Sequence, residues 1–410
     1  MVPSEWEWKQ LADIVKEKIS YGIVQAGPHV SNGIPYIKSS DVRGDIEPCS
    51  LQRTSQEIHF KYRRSSVHPG DIVFSLRGNI GVSAIVPDSL PEANLTQGTA
   101  RISVSNDQCN KFYYYQLATE KLLNRINALS KGSTFKEISL GELRKVKVLC
   151  APLPEQKKIA QILSTWDKAI TTTEQLLANS QQQKKALMQQ LLTGKKRLLD
   201  NNGVRFSGEW KLKLIKEFFD VGSSKRVLQA DWKSEGVPFY RTRELVSLSK
   251  NEPFRSEIFI SNELFTELAE KYGAPIPGDF LVSGVGTLGI SYQVKEGDRF
   301  YFKDGNVLWF KLKNGLYTNY FKYCFQSDFI QGQITAQASI TTVGTYTIKN
   351  AKKTKFWYPA SHEEQQKIAA VLSAADQEIT VMQHKIDALK QEKKALMQQL
   401  LTGKRRVQIN

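Results

Sequence analysis

Two stretches of the chain carry apolar positions at alternating four- and three-residue intervals. The first runs Ile159, Leu163, Trp166, Ile170, Thr173, Leu177, Ser180, Lys184, Leu187 and Leu191; the second runs Ile368, Leu372, Ala375, Ile379, Met382, Ile386, Leu389, Lys393, Leu396 and Leu400. Such a heptad seam predicts two long helices, each near forty residues and rising about 60 Å at 1.5 Å per residue. Their ends carry matching signals. Pro154 suits a first helical turn, Ser361 and Glu364 are spaced as a capping box, and Gly194 and Gly403 stand as C-terminal caps before Lys/Arg clusters. Elsewhere the pattern is one of short apolar runs bounded by Gly, Pro, Asn or Asp. IPYIKSSDV from Ile34, HPGDIVFSLRGNIG from His68 and TARISV from Thr99 predict a mainly β domain, with a helix over the aromatic and Leu-rich run from Lys111 to Leu129.

The two long helices are copies. KKALMQQLLTGK stands at Lys184–Lys195 and again at Lys393–Lys404, and the same offset of 209 aligns EQKKIAQILSTWDKAI from Glu155 with EQQKIAAVLSAADQEI from Glu364. The segments before them repeat more loosely. Trp8-Lys9 is matched with Trp210-Lys211, IPYIKSSDV with VPFYRTREL from Val237, Pro69-Gly70-Asp71 with Pro277-Gly278-Asp279, and Gly78 and Gly81 with Gly286 and Gly289. The chain therefore divides into a first β-rich domain (1–152), a long helix (153–197), a second such domain (198–360), and a second long helix with a basic tail (361–410). Near-identical helices carrying divergent domains suggest one scaffold serving two different targets.

Composition narrows the class. The chain has 410 residues, 40% of them hydrophobic and 10% aromatic, enough for two or three packed domains. With 57 Lys and Arg against 41 Asp and Glu its formal charge is +16, which favours a polyanionic partner. No stretch reads as a signal peptide or a membrane span, so a cytosolic location is expected. Cys49, Cys109, Cys150 and Cys324 are scattered singly and suggest neither disulfides nor a zinc site. His29, His59, His68, His362 and His384 are equally dispersed.

Catalytic motifs are missing from the sequence. There is no Walker-type loop, G-x-S-x-G, H-E-x-x-H or Asn-Pro-Pro-aromatic tetrapeptide. The E-x-K triplets at Glu155-Gln156-Lys157 and Glu392-Lys393-Lys394 lie in the heptad helices, where they read as solvated faces. The Pro-Gly-Asp turns, with Asp71, Asp279 and the spaced glycines, read as structural; the alternative is a turn approaching a phosphate backbone, with Arg77 beside it. Clusters of cations with hydroxyl and aromatic neighbours in predicted loops make the binding chemistry: Lys38, Ser39 and Arg43, then Lys61, Arg63 and Arg64, with Arg77, in the first domain; Lys225, Arg226, Arg241, Thr242, Arg243 and Arg255 in the second. Such groups neutralise phosphates and make bidentate contacts to guanine edges.

With the EQ-x-K-I-A-x-x-L-S-x-x-D helix start and the LMQQLLTGK helix end each present twice, the chain resembles the specificity subunit of type I restriction-modification systems over essentially its whole length. The resemblance implies an α+β fold in which two mainly β target-recognition domains are each followed by a long helix, the helices forming an antiparallel coiled coil with pseudo-two-fold symmetry. It implies that each domain reads one half of a split double-stranded DNA site, the helices setting the half-site separation at about one helical turn, roughly 34 Å. It implies a subunit without catalysis or bound cofactor. Its partners would be two modification subunits that methylate adenine with S-adenosylmethionine and, in the complete complex, two motor-nuclease subunits using ATP and Mg²⁺. We expect Lys184, Leu187, Met188, Leu191 and Leu192, with Lys393, Leu396, Met397, Leu400 and Leu401, to present the same partner-binding face twice. The rival classes are a coiled-coil scaffold that never touches DNA and a single-chain DNA-modifying enzyme.

Overall fold

The computed structural model describes residues 3–132, 136–250, 252–253, 258–338 and 344–409. The chain forms two compact units, Met1–Gln175 with Gln383–Asn410, and Leu176–Met382. The two predicted long helices are present as Leu153–Leu191 and His362–Leu400, and each contributes one part to each unit.

In the first unit a four-stranded antiparallel sheet has the order Ser20–Tyr21, Thr99–Ile102, Ile72–Ser75, Ser83–Ile85. Its central strands are buried along their whole length, as continuous apolar runs require. A three-stranded sheet places Ile34–Ile37 between Arg53–Thr54 (antiparallel) and Asn94–Leu95 (parallel). A two-stranded ladder pairs Glu7–Gln10 with Lys147–Cys150. The helix expected from Lys111 to Leu129 is two helices, Asn110–Leu117 and Glu120–Leu129. The break falls where Thr119 turns extended and its hydroxyl donates to the Gln116 carbonyl, the local bond by which Thr leaves a helix.

The second unit repeats this plan. Its four-stranded sheet is Phe219–Gly222, Val307–Leu312, Phe280–Ser283, Ser291–Gln293; its three-stranded sheet centres on Val237–Tyr240; and its ladder pairs Trp210–Leu214 with Lys355–Pro359. The sequence match of Trp8 with Trp210 is slipped by two residues. Trp6 is the counterpart of Trp210: Trp6 meets Phe112 edge-on at 6.1 Å as Trp210 meets Tyr320 at 6.4 Å, whereas Trp8 is 53% exposed. A two-residue slip keeps the same face of a strand, so the sequence pattern cannot detect it.

Within each unit the helix segments pair antiparallel. In the first, Glu174, Asp167 and Glu155 meet Lys390, Lys393 and Arg406 in reverse order; in the second, Lys184 and Arg197 meet Asp376 and Glu364. Every residue of the predicted seam is buried or half-buried, while the off-register Leu176 and Val381 are exposed. Gly194 and Gly403, both at φ 71°, end the helices in the left-handed conformation that suits glycine. Ser361 caps its helix through the Glu364 N–H, but the capping box is not closed, because Glu364 binds Arg197 instead.

Candidate nucleic-acid interface

The first unit gathers polar groups where the strand Ile34–Ile37 leaves its sheet. Asp41 accepts from the Lys38 N–H at 2.9 Å and shapes the one-turn helix Ser39–Asp41. Ser39 Oγ donates to the Gly98 carbonyl at 3.1 Å. A Cβ at Gly98 would lie 2.6 Å from that hydroxyl and 3.1 Å from Arg77 Nε, so only glycine lets Ser39 and Arg77 approach the same point. Two residues on, the Asn79 amide oxygen, in the orientation its neighbours require, accepts from Arg43 Nε at 2.8 Å and Nη2 at 3.1 Å. Lys38 Nζ reaches Gln52 Oε1 at 3.3 Å. Lys38, Ser39, Arg43 and Arg77 are thus brought together, with Asn79 as a fifth member that sequence reasoning missed. Among the described residues, neither Arg43 nor Arg77 has a carboxylate partner.

Lys61, Arg63 and Arg64 form a separate group at the end of the helix Gln56–Tyr62. The Arg63 guanidinium lies 4.6 Å from the centroid of the exposed Phe60 ring, and Lys61 Nζ 5.8 Å from that of Tyr62. No hydrogen bond or ion pair among the described residues joins this group to the first.

The second unit treats its predicted cations differently. Val285 and Thr287 stand where the first unit has Arg77 and Asn79, and Val285 bridges to Thr345 as Arg77 does to Glu137. Arg226 Nε pairs with Asp304 at 3.0 Å. Arg241 binds the buried Glu244 with Nη2 at 2.6 Å, and Arg243 Nη2 reaches the same oxygen at 3.2 Å. Burial raises the Glu244 pKa, but the bonds from Arg241 outweigh it and hold the carboxyl below its usual range. Thr242 Oγ1 is buried without a partner. Arg241, Thr242 and Arg243 therefore belong first to the start of the helix Thr242–Ser249. Lys225 is exposed; Arg255 lies outside the described residues.

Asp71 and Asp279 are structural, as expected. Asp71 accepts from Ser103 Oγ and the His68 N–H, and Asp279 from Trp309 Nε1 and the Leu312 N–H. No group of three His, Cys, Asp or Glu among the described residues is placed to hold a metal ion.

The residues expected to form the partner-binding face are buried or half-buried within the chain. Leu191 and Leu192 lie in the core of the second unit with Leu187 and Met188 packed against them, and Leu400, Leu401, Leu396 and Met397 do the same in the first. Lys184 pairs with Asp376 over the Tyr323 ring, and Lys393 with Asp167 over the Tyr115 ring. Tyr323 Oη and Tyr115 Oη donate to the same two aspartates, at 2.8 and 2.6 Å. Lys185–Asp328 and Lys394–Glu120, at 3.3 and 3.2 Å, and the paired Arg197–Glu364 and Arg406–Glu155 complete two matching sets. The helix ends are alike because each docks into the same kind of socket within the chain. Leu191, Leu192, Leu400 and Leu401 are buried there, while Leu187, Met188, Leu396 and Met397 stay half-buried.

The family model described as Type I restriction modification DNA specificity domain matches residues 3–179 and 207–391. A type I restriction enzyme specificity subunit of Methanocaldococcus jannaschii is 23% identical over 99% of this chain and 94% of its own length. The EcoBI specificity subunit of Escherichia coli is 27% identical over 39% of this chain, spanning 35% of that protein. The crystal structure of the type I restriction-modification S subunit from M. genitalium superposes with a TM-score of 0.59 over 97% of this chain and 96% of that one, at 14% identity, a likeness of fold.

Proposed function

The chain belongs to the family of type I restriction-modification specificity subunits, and from that premise we propose that it reads a bipartite, gapped site in double-stranded DNA, one half with each unit. The observation that carries this reading is the first unit's cluster. Among the described residues Arg43 and Arg77 have no carboxylate partner, Arg43 is aligned by Asn79, and Lys38 and Ser39 stand beside them. A guanidinium fixed by one neighbour and free on its other edge suits bidentate contact with guanine, and lysine suits phosphate. In this reading the chain does no chemistry. It recruits two modification subunits that hold S-adenosylmethionine and methylate adenine, and the complete complex adds motor-nuclease subunits using ATP and Mg²⁺. Among the described residues no helix is long and apolar enough to cross a membrane.

The test compares adenine methylation across the genome of a host carrying the chain and its modification subunit with that of a host lacking the chain. A gapped, asymmetric methylated motif that depends on the chain supports the proposal. An assembled, active complex that adds no motif overturns it in favour of a scaffold.

A further inference from the structure

Resting on that reading, we propose that Lys225, Lys271 and Lys311, gathered on Tyr272 in the second unit, form a contact patch for the phosphodiester backbone of duplex DNA. Tyr272 ends the helix Asn262–Tyr272 and is 39% exposed. Lys225 Nζ and Lys271 Nζ lie 5.3 and 5.6 Å from its ring centroid. Lys311 Nζ is 3.5 Å from its carbonyl oxygen and 3.9 Å from the centroid of the Trp309 ring. The three lysines come from different elements. Lys225 follows the strand Phe219–Gly222 and is held by its N–H, which donates to Tyr301 Oη at 3.1 Å; Lys271 is on the helix; Lys311 is on the strand Val307–Leu312.

Convergence of three elements on one exposed ring sets this patch apart from singly placed surface lysines. None of the three lysines has an ion-pair partner among the described residues; Asp220 faces Lys311 across the strand pair but makes no ion pair with it. The helix C-terminus offers only about half a negative charge against three positive ones. Arg226, by contrast, pairs with Asp304, and Arg241 and Arg243 share Glu244. Tyr272 thus gathers three cations that no carboxylate among the described residues matches, and of these sequence reasoning named Lys225 alone.

The first unit has the same device on the corresponding element. The helix Gln56–Tyr62, capped by Ser55 as Asn262–Tyr272 is by Ser261, ends in Lys61, Arg63 and Arg64, with Arg63 on the exposed Phe60 ring. In both units a helix of the same origin ends in cations seated on an exposed aromatic ring. Ammonium groups are point charges that follow phosphates without reading bases, so the patch positions the duplex and leaves base choice to other residues.

The test measures duplex affinity of the complex with its modification subunits against salt concentration, on DNA carrying its methylated motif. Each phosphate contact contributes about 0.9 to the slope of log affinity against log salt. Lys225→Gln/Lys271→Gln/Lys311→Gln is expected to flatten the slope by about 2 to 3 units, with the methylated motif unchanged. If the glutamine triple melts early, the exposed single variants Lys225→Gln and Lys271→Gln each flatten it by about 0.9. An unchanged slope, or an altered motif, overturns the patch while leaving DNA recognition standing. A wild-type complex with no salt-dependent duplex binding overturns both.

Discussion

Glu244 shows how one carboxylate decides the role of two arginines. It is buried at the start of its helix and is tolerable there as an anion only because Arg241 binds it through two nitrogens and Arg243 through a third contact. Arg241→Ala is expected to destabilise the protein by about 2 kcal/mol at neutral pH, the usual worth of charge-assisted hydrogen bonds. The sign of its pH dependence follows from the depressed carboxyl. The stabilisation is complete above the ordinary carboxylate pKa, about 4.3, and is lost as pH falls below it through the lower folded value, so the wild-type advantage shrinks only below that pH in denaturant titrations. A sequence pattern of Tyr-Arg-Thr-Arg shows charge but not that a glutamate three residues on claims it. Arg43 and Arg77 were legible as candidates, whereas Asn79 was not, because its role is a side-chain contact across a turn. The cysteines give a second check at this scale. Burial pushes the Cys324 thiol up to about 12 and raises Cys150, while Cys49 is exposed. Alkylation at about pH 8, read by mass spectrometry, is expected to label Cys49 and to spare Cys150 and Cys324 until the chain unfolds.

The long helices were legible almost residue by residue, because a heptad seam, a capping serine and a terminal glycine are local signals. What the repeated helix ends bind was not legible. Apolar residues at helical spacing look the same whether they face a partner or the chain's own core. The sockets explain the duplication: Gln156 and Gln365, both buried, each receive the first N–H before an aromatic helix, from Cys109 and Tyr317, at 2.8 Å. Leu400→Ala is expected to cost about 2 to 5 kcal/mol by opening a cavity in the first unit's core. Lys393→Asp is expected to destabilise the same unit, and Asp167→Lys added to it to restore part of the loss. A coupling energy of about 1 to 3 kcal/mol in a double-mutant cycle is the expected value, and additivity would show that the Lys–Asp–Tyr set does not act together.

At the scale of the whole molecule, one plan of sheets and helices is used twice and its surfaces have diverged. Framework positions do repeat: Asp71 and Asp279 are both buried, and Trp6, buried, and Trp210, half-buried, each pack on their unit's core. The turn after the Pro-Gly-Asp strand does not repeat: the first unit presents Arg43, Arg77 and Asn79 there, and the second has Val285 and Thr287. Fold and family could be read from the chain because the repeat and the helix motifs are strong. The contact residues could not be sorted, because charge in a loop carries no record of its partner. If the two units read DNA independently, mapping the methylated motif for the wild type and for Arg43→Ala/Arg77→Ala, each assembled with the modification subunit, shows one half of the motif becoming degenerate while the other half and the gap between them stay the same. A change in both halves, or an unaltered motif at full methylation, would contradict independent reading.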